Sequence, residues 1–432
     1  MENMGKNKKK LTRREFIKTS ASGIGGLALS SYLMPRTASA QKPIRILAIS
    51  IFTGRAAVLG LATKNGLTMW QDEVNQRGGI LGRKVEIEFR DTRGKVEEAV
   101  RLAREAASSG QVDFIMDGCS SREAFAVKEV AKDLKFLIFA LQCKTTEFTA
   151  DPKIFNPYSF RIAGPAILDL YGGGQFAAEI SKKNGWKKWV MIGPDYAYGH
   201  DMVNSFTRFL KKGFPEVEIQ TELWPKLDEP DFTPHIAKII GANVDAVFSS
   251  QWGGDLVALL QQGAVYGLWE KVKLFVNDLG DFTVINPVIK ALGKVPEGIY
   301  MGTRSNPVTP NTKLNQDWFN NSTKKFGTEP SGWDNQAYTG GLFLNRAIEK
   351  ARTTDQKAVI KALKGLEIIA PWGTPPSQKL IMRDRDHTVI HYNISWGTTI
   401  SKYPYVTDIY TASWKDVLKA EEEFLREKGW LK

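Results

Sequence analysis

The residue types that carry most enzyme chemistry are sparse in this chain and stand outside the spacings that chemistry needs. It has four histidines, His200, His235, His387 and His391. The spacing of His387 and His391 resembles a metal pair, but a strand-like context beside Arg383 and Arg385 is expected to point them differently, so no metal site is expected. No Gly-x-x-x-x-Gly-Lys-Ser/Thr phosphate loop, His-Glu-x-x-His pair or Gly-x-Ser-x-Gly elbow is present. Gly118-Cys119-Ser120-Ser121-Arg122 lacks the closing glycine of that elbow. Gly172-Gly173-Gly174 lies inside a helical pattern rather than at a strand-to-helix turn, so helix packing is its expected role. A hydrolase or an oxidoreductase on a similar fold is the enzyme alternative, and its dinucleotide fingerprint is missing; neither a cofactor nor a catalytic residue is expected.

The chemistry on offer is that of binding, and the elements that must position it follow a regular rhythm. Short apolar runs at 44–51, 85–89, 113–116 and 136–141 alternate with helical patterns at 58–77, 96–108 and 123–134. Continuous Ile/Leu/Val/Phe runs between amphipathic helices predict parallel strands covered on both faces. Gly78-Gly79 is placed to cap the first helix. A second α/β sheet is predicted from runs at 189–192, 217–223, 246–249 and 274–276 with helices at 167–182, 201–212, 234–240 and 256–266. Helical patterns at 315–326, 335–351 and 356–363 lack matching strands, so they are expected to return to the first sheet, and the chain to return to the second lobe from Pro371 onward. The terminal stretch 414–428 reads as a solvated surface helix.

In open parallel sheets ligands bind beyond the carboxyl ends of the strands. That singles out the loops 50–60, 91–95, 118–122 and 141–146 in the first lobe and 193–199, 250–254 and 277–281 in the second, which are rich in Ser, Thr, Gln, Asp, Tyr and Trp. Cys119 and Cys143 each follow an apolar run, so both can end neighbouring strands, close enough to bond in an oxidising compartment.

The 432 residues are 42% hydrophobic and 25% charged, globular values that exclude a disordered or collagen-like chain and imply at least two lobes. The net charge of +12 loses half its value with the first 40 residues, which removes most of the case for nucleic acid. Residues 12–18 read Thr-Arg-Arg-Glu-Phe-Ile-Lys, then come a short apolar stretch to Met34 and Ala38-Ser39-Ala40. This is a twin-arginine export signal with cleavage near Ala40, too short and too rich in Ser and Gly for a membrane span. The mature protein is expected in the periplasm.

Taken together, Thr53-Gly54 with Gly60, the run Asn75-Gln76-Arg77-Gly78-Gly79-Ile80-Leu81-Gly82-Arg83-Lys84, Ser120-Ser121, Thr146-Glu147-Phe148-Thr149 and Asp195-Tyr196-Ala197-Tyr198-Gly199 resemble a known family. It is that of periplasmic solute-binding proteins of ABC importers, leucine/isoleucine/valine-binding type, over nearly all of 44–395. The resemblance implies a type I periplasmic binding protein fold: α/β, two Rossmann-like lobes with parallel sheets joined by a multi-strand hinge. On this reading 1–40 is the signal, 41–160 with 303–370 the first lobe and 161–302 with 371–432 the second.

The resemblance also implies the site. A solute carboxylate would be held by Ser120 and Ser121 at a helix start, where free N–H groups and the helix dipole favour an anion. Gln142 and Lys144 would contribute from the next loop. Lys144 departs from the small or hydroxyl residue usual there; it favours an anionic ligand if it faces the cleft and is a solvated lysine if it does not. Tyr198 and Trp252 would close from the second lobe, covering apolar or cationic ligand surface. The acid that holds a ligand ammonium falls near Asp278: with Asp278 in that role an amino acid is expected, and with Leu279 there, a simple or aromatic carboxylate. The implied partners are a small-molecule solute, an amino acid or organic acid, and a membrane permease, with no nucleic acid and a monomeric protein. An aromatic carboxylate, an amide or urea is the alternative solute.

Overall fold

The computed structural model describes residues 41–278, 280–392 and 394–431; residues 1–40, where the sequence predicts an export signal, and Leu279 lie outside the described residues. Five strands, β1 (Ile44–Ser50), β2 (Val85–Asp91), β3 (Phe114–Gly118), β4 (Ile138–Ala140) and β5 (Ser159–Arg161), form a parallel sheet of order β2-β1-β3-β4-β5. Alternation along each strand divides its side chains between two cores. Ile46, Ala48, Phe114, Met116 and Phe139 pack on one face with Leu67 and Trp70. Leu47, Ile49, Ile115 and Ile138 pack on the other with Ala99, Leu102, Val127 and Val130. Each such fully buried aliphatic or aromatic side chain stabilises the fold by roughly 1.5–3 kcal/mol. The helix Ala57–Gln76 stops where expected: Gly79 has φ +83°, and a Cβ there would lie 2.0 Å from the Arg83 carbonyl oxygen.

The second sheet is built from β6 (Lys188–Ile192), β7 (Glu218–Leu223), β8 (Ala246–Ser249), β9 (Leu274–Asn277) and β10 (Tyr300–Thr303), all parallel. A small sheet follows in the chain, β11 (Glu367–Thr374), β12 (Lys379–Met382) and β13 (Val389–Ile390). Two antiparallel strands, β14 (Ser395–Thr399) and β15 (Val406–Tyr410), then extend the second sheet to the order β15-β14-β10-β9-β8-β6-β7. The triple glycine serves packing: a Cβ on Gly173 would fall 2.4 Å from the Trp396 ring, so only hydrogen lets the helix Ala166–Asn184 lie against β14.

Three helices beyond β10, Lys313–Phe326, Gly332–Ala351 and Gln356–Leu363, place Phe319, Phe343, Leu344, Ile348 and Val359 in the first core. The return to the second lobe comes later than the sequence suggests. Trp372, Leu380, Met382 and Val389 are buried in the first core, and the Trp372 indole N–H donates to Thr339 Oγ1 at 2.9 Å. The chain therefore passes to the second sheet between β13 and β14, not at Pro371, because these apolar strands cover the helix Gly332–Ala351. It crosses between lobes three times, after β5, after β10 and after β13. The final helix, Trp414–Glu427, is amphipathic and buries Val417 and Ala420 against Ile167 and Phe209.

The two cysteines are buried free thiols. Although β3 and β4 are neighbours, Cys119 packs with Ile49 and Val130, and Cys143 with Ala124 and Phe148, so the two side chains occupy different clusters. His387 stacks on Phe160 at 4.0 Å and His391 on Trp414 at 5.2 Å, so neither ring has the other as its neighbour. Among the described residues no cluster of His, Cys, Asp and Glu can hold a metal, and no helix is long and apolar enough to cross a membrane.

Candidate functional site

The loops at the carboxyl ends of the two sheets enclose a small cavity of ≈ 20 Å³ lined by Ser120, Ser121, Gln142, Lys144, Tyr196, Tyr198, Trp252, Arg304, Trp333 and Gln336. Six residues singled out in the sequence meet here: Ser120, Ser121, Gln142, Lys144, Tyr198 and Trp252. The seventh, Asp278, is buried behind Lys144 rather than in the lining. A wider surface groove near Arg45, Leu47, Glu88 and Leu102 contains none of the seven.

Each lining residue is held by its element. Ser120 caps the helix Ser121–Leu134 in a capping box with Glu123. Its hydroxyl donates to Glu123 Oε2 at 2.9 Å, and its amide to the same oxygen at 3.2 Å, so the Ser120 hydroxyl proton is committed to the cap. Ser121 Oγ accepts the Lys144 amide at 3.2 Å, joining the loops after β3 and β4. The Gln142 amide group donates to the Trp333 carbonyl at 3.1 Å.

Two aromatic pairs form the walls. Tyr196 and Tyr198 stack at 5.6 Å, and Trp252 and Trp333 at 6.1 Å. Burial pushes both phenols well above their ordinary range, so they remain hydrogen-bond donors. Several buried polar atoms of the lining have no protein partner: Tyr198 Oη, Trp252 Nε1, Gln336 Nε2, Arg304 Nε and Gln142 Oε1. Buried polar atoms are seldom left unpaired, and four of these five are donors.

Lys144 and Arg304 bring positive charge to the lining. Lys144 Nζ lies 2.5 Å from Asp278 and 3.0 Å from Asp169, and Arg304 Nη2 lies 2.5 Å from Asp169 and 3.8 Å from Asp278. Burial lowers the Arg304 pKa, but the two aspartates outweigh it and hold the guanidinium above its usual value. Two cations and two anions balance, with the cations in the lining and the anions behind them. Lys144 is thus neither a solvated lysine nor an isolated cation.

Sequence reasoning missed Tyr196, Arg304, Trp333 and Gln336. Arg304 follows β10, whose short Tyr-Met-Gly-Thr run gives too weak a strand signal to mark the loop after it. Trp333 and Gln336 sit in the first turns of the helix Gly332–Ala351, whose Ser331-x-x-Asp334 capping box was a readable start signal.

Asp117, at the end of β3, supplies a pH test of this lobe. Its Oδ1 accepts the Cys119 amide at 2.9 Å, its Oδ2 has no partner, and burial pushes its carboxyl up to about 7. Between pH 4 and 7 the folded state keeps a proton that the unfolded chain releases, so this group's contribution to stability falls as pH rises. Asp117→Asn is expected to gain on the native protein across that window by a few kcal/mol, with no comparable gain below pH 4. Urea melts at pH 4 and pH 8 measure it; equal differences at the two pH values would refute the shift.

Residues 43–394 match the model of a family described as periplasmic binding protein. Leu/Ile/Val-binding protein homolog 4 of Brucella abortus (strain 2308) is 26% identical over 384 residues, covering 84% of this chain and 86% of that protein. A solute binding protein of an ABC transporter from Rhodopseudomonas palustris BisB5, in complex with 3,4-dihydroxy benzoic acid, superposes with TM-score 0.74 at 20% identity, covering 86% of this chain and 98% of that one. A leucine binding protein from Thermotoga maritima MSB8 gives TM-score 0.70 at 17% identity, with the same coverage, 86% and 98%.

Proposed function

Because this chain belongs to the periplasmic binding protein family, we propose that it is the solute-binding protein of an ABC transporter, which captures a small carboxylate-bearing solute between its lobes and hands it to the membrane permease by hinge closure. The observation that carries the reading is the lining: Lys144 and Arg304 present positive charge, and Tyr198, Trp252 and Gln336 add unpaired donors. Ser121 and the first turn of its helix supply the anion-favouring end. Contacts from both lobes are made together only when the lobes close, and such contacts are what shift the open–closed equilibrium. Export by the twin-arginine route to the periplasm, action as a monomer and absence of turnover complete the proposal.

An aromatic carboxylate is a second reading, favoured by the four rings around the cavity, and the Rhodopseudomonas protein's complex supports it. The leucine binding protein and the Brucella relative support an amino acid. Isothermal titration of the purified protein with amino acids, benzoates and aliphatic acids tests the class. Ser121→Ala and Tyr198→Phe are each expected to weaken the best ligand by about 5–30-fold, with the melting temperature of the unliganded protein little changed. Unchanged affinity in both variants, or conversion of the ligand to a product, would overturn the reading.

A further inference from the structure

Lys144 and Asp278 are 134 residues apart in the sequence and belong to loops of different sheets, yet they meet at 2.5 Å with 6% and 1% of their side chains exposed. Asp169, also 1% exposed, accepts the same ammonium at 3.0 Å. In the resemblance set out above, the acid near Asp278 is the group that holds the ammonium of an amino-acid ligand. Here that group already has an ammonium, delivered on a lysine side chain from the opposite lobe.

We propose that Lys144 is a built-in ammonium that fills the acidic subsite of Asp169 and Asp278 and sets the specificity of the cavity against α-amino acids and for carboxylic acids without an amino group. The inference rests on the reading that the cavity takes a carboxylate. Charge counting supports it. Lys144 and Arg304 balance Asp169 and Asp278, so a ligand ammonium would be a third buried cation with no free carboxylate to meet it. To bind, it must expel the lysine ammonium from its partners, and this is a repulsive element against the wrong ligand. The carboxylate of either kind of acid meets the same unpaired donors of Tyr198, Trp252 and Gln336, so the ammonium alone separates the two classes.

The test uses the purified protein, Lys144→Ala, and Lys144→Met combined with Asp278→Asn, which removes one charge of each sign. Thermal melts with ethylammonium chloride, against sodium chloride at equal ionic strength, probe the vacated subsite. Ethylammonium is expected to raise the melting temperature of Lys144→Ala by about 2 °C or more, and to leave the native protein and the double variant unmoved. By titration, Lys144→Ala is expected to gain at least about tenfold in leucine affinity over the native protein. Should the alanine variant fold poorly, refolding in ethylammonium is expected to recover it, and failure to recover counts against the proposal. The proposal is overturned if ethylammonium does not distinguish Lys144→Ala from the native protein, or if the native protein binds leucine and Asp278→Asn abolishes that binding. Failure of the carboxylate reading looks different: no carboxylic acid would bind the native protein, whatever ethylammonium does to the variant.

Discussion

Replacing Arg304 with methionine is expected to cost roughly 3–5 kcal/mol of stability, the largest single-residue effect anticipated in this protein. The guanidinium is 3% exposed and bonds Asp169 at 2.5 Å with Asp278 at 3.8 Å. Methionine keeps much of the side-chain volume but leaves two buried carboxylates facing one ammonium, Lys144. Removing one partner of a buried ion network exposes the full desolvation cost of the groups left behind, which is why the loss exceeds that of any surface ion pair. Urea unfolding at pH 7 measures the loss. Adding Asp169→Asn to the Arg304→Met variant restores charge balance and is expected to recover more than half of it. A loss below about 1 kcal/mol, or no recovery in the double variant, would show that the four charges do not act as one network.

Trp252→Ala is expected to raise the dissociation constant of the best carboxylate ligand by about 30–100-fold. Trp252 is 6% exposed, stands at the start of the helix Gly253–Val265, stacks on Trp333 and packs in the core of the second lobe with Tyr198. Truncation removes a wall of the cavity, an unpaired indole donor and the contact through which one lobe covers what the other holds. Buried tryptophans at the centre of a binding surface are enriched among the residues whose truncation costs 2 kcal/mol or more. Trp252→Phe keeps the wall and loses the N–H, so it is expected to fall between alanine and the native protein. Titration calorimetry of the three proteins, with the melting temperature of each unliganded form as control, separates lost contact from lost folding. An alanine variant within threefold of native affinity would remove Trp252 from the site.

The sequence by itself determined the two sheets and which ends of their strands face the cleft. Apolar runs such as 46–49 and 114–116 bury both faces of a strand, and side chains that point alternately to the two faces admit few other packings. Direction along a parallel strand then fixes the end at which its following loop emerges, which singles out the loops that carry Ser120, Gln142, Tyr198 and Trp252, while the family resemblance picks those residues within them. Where local signals are weak the tertiary structure decided. β10 and β14 are short, with a glycine in each, and they become strands by pairing with each other and, through β10, with β9 inside the second sheet. Trp372 and Leu380 enter the first core because a helix there needs covering, which no local pattern encodes. The partners of Lys144 also belong to the tertiary structure. A lysine in a loop reads the same whether its ammonium ends in water or on Asp278, and the choice is made where the fold buries Lys144, Arg304, Asp169 and Asp278 together, so that each charge is neutralised by the others rather than by water.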